Sequence, residues 1–196
     1  MDNLFETDDA STPLAEEEKE GLIPSWLTFR HELNAVEQEN ILLAEQWAFS
    51  SRKREVLTEK FIRDLHKRMF GKVWKWAGTF RQTARNIGVD AWKIAPDLRM
   101  LLEDTRYWIE HQTYPPDEIA ARFHHRLVWI HPFPNGNGRM ARLMTDVLLI
   151  TQLQQPRFSW GSANLVDISQ TRQQYVQALR AADGGQIHPL LDFVRS

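Results

Sequence analysis

Residues 131–142 read HPFPNGNGRMAR, and this stretch sets the architecture on both sides of it. Two prolines and two glycines fall between His131 and Arg139, a density that no helix interior tolerates. Apolar residues return at helical spacing on either flank: Ile119, Phe123, Leu127 and Ile130 before it, Leu143, Met144, Val147 and Leu148 after it. The spacing predicts a loop joining two helices, one from Pro116 to about Ile130 and one from Met140 to Leu153.

Three physical features meet in that loop. Gly136, Asn137 and Gly138 tolerate positive φ and can turn successive backbone N–H groups into one concavity, an anion nest. The nest opens a helix, whose unpaired N–H groups and positive dipole end also favour an anion. Arg139 and Arg142, three residues apart, supply forked donors suited to phosphate oxygens. The combination points to a polyphosphate. His131 stands at the entrance, and an imidazole is the side chain best able to accept a proton at neutral pH. Phe133, between two prolines, is expected to anchor the loop on the core and to carry no chemistry.

Working outward, Thr58 opens a helical pattern through Phe61, Ile62, Leu65, Met69 and Phe70, which Gly71 stops. A longer helix is expected from Trp26 to Ser50. From Val73 to Pro96 the period is lost, and a loop or short hairpin is expected. Helices follow from Asp97 to His111, from Ser169 to Ala182 and from Leu190 to Val194. Near the start, Thr12-Pro13 with LAEEEKEG reads as a short capped helix ending at Gly21.

Composition narrows the function. The chain has 196 residues, no cysteine and a net charge of -2, so zinc ribbons, thiol nucleophiles, iron–sulfur clusters and disulfide frameworks are excluded. Residues 1–20 hold eight acids and one base, leaving 18 acids and 23 bases in the remainder, a body of charge +5 behind an acidic leader. That charge is too small to indicate direct nucleic-acid binding. Trp74, Trp76 and Trp92 could stack bases, but ordinary packing explains them as well. No run is long and apolar enough for a membrane span, and a cytoplasmic location is expected.

HPFPNGNGRMAR resembles the signature HxFx(D/E)GNGRxxR of the Fic (Fido) proteins. The order TPL, EGLIPS, WAGTFR, NIGV and HPFPNGNGR is similar to the bacterial subfamily called mobile mystery protein B. The resemblance implies a mainly α fold with a short β-hairpin flap. It divides the chain into an acidic N-terminal segment, 1–24, and a Fic domain, 25–196. It implies transfer of AMP from ATP, with Mg²⁺, to a Ser, Thr or Tyr hydroxyl of a target protein. Carried over, His131 is the general base, and Gly136, Asn137 and Gly138 form the anion hole. Arg139 binds the β-phosphate and Arg142 the γ-phosphate. Val89, Asp90, Ala91, Trp92, Lys93 and Ile94 become the flap that docks the target by strand addition. Toxin-like relatives in this family act beside a small antitoxin, and this subfamily resembles those with a helix-turn-helix partner.

One position departs from the signature: Asn135 stands where an acid is usual, so a metal there would meet a neutral carbonyl oxygen. A second family feature, an inhibitory helix of pattern (S/T)xxxE(G/N), is matched by Glu20-Gly21 with Glu16 in place of Ser or Thr. This makes Glu20 the expected inhibitory residue. The alternatives are a catalytically weak or inactive nucleotide-binding module, a variant transferring a phosphoryl or phosphocholine group, and a metal-dependent hydrolase built from His66, His111, His124, His125 and His131.

Overall fold

Thr58 caps its helix as its side chain requires, accepting the Phe61 N–H at 3.1 Å, and the helix α3 (Glu59–Phe70) that follows supplies the floor of the molecule. The computed structural model describes Leu4 and residues 16–50, 55–162 and 168–196. In chain order the helices are α1 (Glu16–Lys19), α2 (Arg30–Phe49), α3, α4 (Ile94–Glu110), α5 (Pro116–Ile130), α6 (Asn137–Leu148), α7 (Ile168–Asp183) and α8 (His188–Arg195). The Thr12-Pro13 helix start lies outside the described residues. The fold is mainly α, as expected.

Several boundaries move for local reasons. In place of Trp26, α2 begins at Arg30, where the Glu32 carboxylate reaches back to accept the Thr28 and Phe29 N–H groups. Pro96 sits inside the first turn of α4, where its missing N–H costs nothing, so that helix begins at Ile94. The helix expected from Met140 to Leu153 starts three residues earlier. Its last turn widens into a π-helical stretch, Leu149–Leu153, closed by Gln154 in the left-handed region.

Side-by-side packing of α2 with α3, α4 with α5, α5 with α6 and α7 with α8 produces two apolar clusters. The larger contains Leu65, Met69, Phe70, Phe123, Leu127, Phe133 and Met140 and lies beneath the 131–138 loop. The smaller gathers Ala120, Ala121, Leu149, Phe158, Tyr175, Ala178 and the α8 residues Leu190, Phe193 and Val194. α5 contributes to both, which rigidly connects the loop's two sides.

The expected β-hairpin flap is not formed. Among the described residues there is no strand, and the only pairing of strand type is an isolated antiparallel bridge between Leu22 and Trp74. Residues 79–90 run as an irregular loop, and Ala91–Lys93 form a 3-10 turn held by Lys93 N–H to Asp90 C=O, leading directly into α4. The helix start at Ile94 takes the backbone that a strand edge would need. No helix among the described residues is long and apolar enough to cross a membrane.

Candidate active site

The loop owes its shape to positions at its ends. α5 stops at His131, which adopts φ 53° and ψ 60°, and its N–H still bonds the Leu127 carbonyl. This turn leaves the imidazole only 6% exposed. At the far end Gly136 has φ 76°, and a Cβ there would stand 2.6 Å from the Phe70 ring, so both conformation and space require glycine. Between them, Asn137 accepts the Phe133 N–H at 2.9 Å and donates to the Phe133 carbonyl at 2.7 Å. The Asn137 side chain therefore pins the loop, and only its backbone is available to an anion.

Phe133 is fully buried and stacks on His66 with ring centroids 3.7 Å apart, the anchor expected of it. His66 joins three segments. Its Nδ1 accepts the Gly78 N–H at 3.0 Å, which fixes the proton on Nε2, and Nε2 then donates to the Asn135 carbonyl at 3.0 Å. Burial holds its pKa at about 3, so this donor pattern is kept at neutral pH.

Arg81 is the second clamp. It is 2% exposed and donates to main-chain carbonyls: His131 at 2.7 Å, Thr83 at 2.9 Å, and Val89 and Ile130 through Nη2. A single guanidinium thus caps the C-terminal end of α5 and ties the flap to it. Gly88, at φ 93°, lies so close that a Cβ would stand 2.6 Å from the His131 Cβ. The flap therefore covers His131. Burial first, then the charge of Arg81 and more weakly Arg85, lower the His131 pKa to about 4, against a backbone hydrogen bond to Val128. At neutral pH the ring is uncharged and able to take a proton.

α6 begins at Asn137 with no side-chain cap, so its first-turn N–H groups remain directed at the loop's mouth. A Cβ on Gly138 would meet nothing within 4 Å, leaving the approach to those groups open. The two arginines diverge from this start. Arg139 turns toward α2, pairing with Glu37 at 2.6 Å and lying over Phe70. Glu37 is buried and also accepts the Trp74 Nε1–H at 2.7 Å. Arg142 turns the other way, toward Tyr175 and Trp160. The two guanidinium groups thus turn to opposite flanks of the α6 start.

Other expectations are revised by the geometry. Asn135 accepts the Gly136 N–H on its own Oδ1 at 2.6 Å, so a metal there would share a neutral oxygen already engaged. Among the described residues no three His, Asp or Glu side chains are grouped to hold a metal ion, and His66 and His124 are buried packing residues, so the hydrolase alternative has no site. Glu20 is exposed, and among the described residues no ion pair links it to Arg142. The leader instead reaches the flap through Glu18, whose carboxylate pairs with Arg85 in a half-buried contact while its carbonyl accepts the Trp76 Nε1–H at 3.0 Å. Ala91, Trp92, Lys93 and Ile94 are turn and helix here, not a strand edge. Val89 remains in the loop with its carbonyl taken by Arg81, and Asp90 is an exposed loop residue that accepts the Lys93 N–H. The exposed flap backbone is Gln82–Ala84 and Asn86–Gly88, with Trp92 74% exposed beside it.

Sequence reasoning missed Arg81, Glu37 and Tyr175, and weighed His66 only as a metal ligand. His66 carried a signal, since it lies on the apolar face of α3 with Ile62, Leu65 and Met69. The others act across long separations that no local pattern reveals.

The chain is a mainly α domain that presents an uncapped helix start, two flanking arginines and an imidazole covered by a flap. Comparison with known proteins makes this specific: residues 56–149 match the Fic/DOC family, and the chain carries a Fic/DOC domain. It is 32% identical over 142 residues to the protein adenylyltransferase Fic of Drosophila grimshawi and 30% identical over 146 residues to that of Aedes aegypti. These alignments take in 70% and 72% of this chain but 28% of each relative, so the chain spans under a third of their length. The fold matches Fic-1 of C. elegans with a TM-score of 0.68, at 23% identity over 90% of this chain and 51% of that one. It also matches the N-terminal Fic domain of a cell filamentation protein from Bartonella quintana, solved with bound ADP. There the TM-score is 0.67, at 16% identity over 87% of this chain and 86% of that one.

Proposed function

We propose that the protein is a protein adenylyltransferase, moving AMP from ATP to a Ser, Thr or Tyr hydroxyl of a target protein. The observation that carries this reading is the uncharged His131, held under the flap beside an uncapped helix start with an arginine on each side. His131 takes the proton from the target hydroxyl, and the freed oxygen attacks the α-phosphorus. The bond from that phosphorus to the bridging oxygen of the β-phosphate breaks, and pyrophosphate leaves. Backbone N–H groups of Asn137 and Gly138 receive the phosphates, joined by that of Gly136 once it leaves Asn135 Oδ1, with Arg139 on the β-phosphate and Arg142 on the γ-phosphate. Charge building on the leaving oxygen is thus met by donors already in place.

Mg²⁺ fits this site only as a companion of the nucleotide. The loop offers it one neutral oxygen, Asn135 Oδ1, already accepting a hydrogen bond, and no step here is routed through the metal. The target is proposed to dock along residues 82–90 and the Trp92 ring. The leader is proposed to restrain this flap through the Glu18–Arg85 pair, a role first expected of Glu20. An antitoxin or a helix-turn-helix protein remains a proposed partner on the subfamily resemblance alone.

The reading is tested by intact mass after incubation with ATP and Mg²⁺. An AMP adduct on native protein or on an added target, absent with His131→Ala and increased by Glu18→Ala but not by Glu20→Gly, is the expected result. An adduct undiminished by His131→Ala overturns the assignment of the base, and equal stimulation by both leader variants overturns the Glu18 restraint.

A further inference from the structure

The two arginines are held in opposite ways. Arg139 has a carboxylate partner, whereas among the described residues no acid stands within ion-pair distance of Arg142. Its Nε is buried with no acceptor, and its guanidinium lies between two aromatic residues, Cζ 4.6 Å from the Tyr175 ring centroid and 5.7 Å from that of Trp160. The charge of Arg142 acts on the Tyr175 phenol, opposing the rise that burial gives its pKa.

That oxygen is itself fixed. Tyr175 OH meets His124 Nε2 at 2.8 Å, and the other ring nitrogen of His124 meets Thr145 Oγ1 at 3.3 Å. Thr145 donates to the Ala141 carbonyl at 2.7 Å. The directions close in one way: Thr145 gives its proton to Ala141 and so accepts from His124 Nδ1–H, which leaves Nε2 to accept from Tyr175. The phenol oxygen then presents only a lone pair to its surroundings, suited to a donor such as the Arg142 guanidinium and not to an acceptor. His124 is fully buried, and burial with the charge of Arg142 lowers its pKa to about 3, which preserves this polarity.

The acid best placed to cancel Arg142 is Asp146, one turn further along α6. It accepts the Trp160 Nε1–H at 3.1 Å instead. Tyr175 and Trp160 come from α7 and the loop before it, beyond the matched residues 56–149.

We infer that Tyr175, oriented by His124, and Trp160 are positioning residues for Arg142, holding it with a neutral oxygen and two ring faces in place of a carboxylate so that its charge is kept whole for the terminal phosphate of a nucleoside triphosphate. This deepens the proposed function and rests on its assignment of Arg142. A carboxylate would fix the side chain equally well but would compete with the ligand. The neutral cradle orients without neutralising.

The test is calorimetric binding of ATP, ADP and AMP to the full chain. Arg142→Ala should abolish the preference for ATP over ADP. Tyr175→Phe, which removes one oxygen and leaves the ring, should weaken ATP about 3- to 10-fold, the range one hydrogen bond spans, with ADP and AMP within about 2-fold. In the Arg142→Ala background Tyr175→Phe should have no further effect. Trp160→Phe frees Asp146 and should also weaken ATP, and adding Asp146→Asn should restore it, a recovery that a merely structural Trp160 would not give. Native ATP affinity for Tyr175→Phe, or equal loss for all three nucleotides, overturns the inference while leaving the adenylyltransferase reading intact. Unchanged ATP affinity in Arg142→Ala fails the assignment beneath it.

Discussion

Lowering the pH from 7 to 5 should destabilise this protein by an amount that the buried histidines determine. His66, His124 and His131 have pKa values lowered to about 3, 3 and 4, each mainly by burial. On unfolding each returns to about 6.5, so at pH 5 the unfolded chain binds three protons that the folded one refuses. Asp146 acts in the opposite sense: burial raises it to about 6, so the folded state holds one proton that the unfolded state releases. The net uptake on unfolding is about two protons, a slope of roughly 2.7 kcal/mol per pH unit near pH 5. Stability contributed by the neutral imidazoles is present well above pH 6.5 and is lost as pH falls through the folded values, about 4 for His131 and about 3 for His66 and His124. Integrated from pH 7 to 5, with Asp146 offsetting part, the loss is about 4 kcal/mol, a large share of the stability a domain of this size holds. Urea unfolding at half-unit pH steps measures it. His124→Gln should remove one proton from the slope, reducing it by about half. A flat profile between pH 7 and 5, or a slope unchanged by His124→Gln, would refute the argument that these rings are buried and neutral.

Three further outcomes follow from the loop's construction. Arg81→Met leaves the His131, Thr83, Val89 and Ile130 carbonyls without their donor; it should cost about 3 kcal/mol by denaturant titration and lower turnover more than nucleotide affinity. Gly136→Ala sets a Cβ 2.6 Å from Phe70 at a left-handed position and should cost at least about 2 kcal/mol, whereas Gly138→Ala, with open space around it, should spare stability and weaken ADP binding. Glu37→Gln keeps an acceptor for Trp74 but removes the countercharge that pairs with Arg139, and should tighten ADP binding by about 3- to 10-fold as measured by calorimetry.

Where a local period or a side-chain cap decides structure, the sequence was legible. Thr58, the two helices around the loop, and the placement of His131, Gly136 and the arginines at the start of α6 follow from spacing and turn chemistry within a dozen residues. The flap was not legible, because its shape is imposed from outside. Arg81 draws in Thr83, Val89, Ile130 and His131, and no pattern within residues 79–94 encodes that. The leader's contact with the flap has the same origin, since a short helix rich in Glu presents several carboxylates and only tertiary packing sets Glu18 against Arg85. The divergence of Arg139 and Arg142 could not be read from their i, i+3 spacing, because Glu37 lies 102 residues before Arg139 and Tyr175 is 33 residues beyond Arg142.

The most direct test of the central claim is label transfer from ATP carrying the isotope at the α- or the γ-phosphate, with a protein mixture as acceptor. The account requires label on protein from α-labelled ATP only, release of pyrophosphate, and loss of the signal with His131→Ala. Label from γ-labelled ATP, or transfer undiminished by His131→Ala, would contradict it.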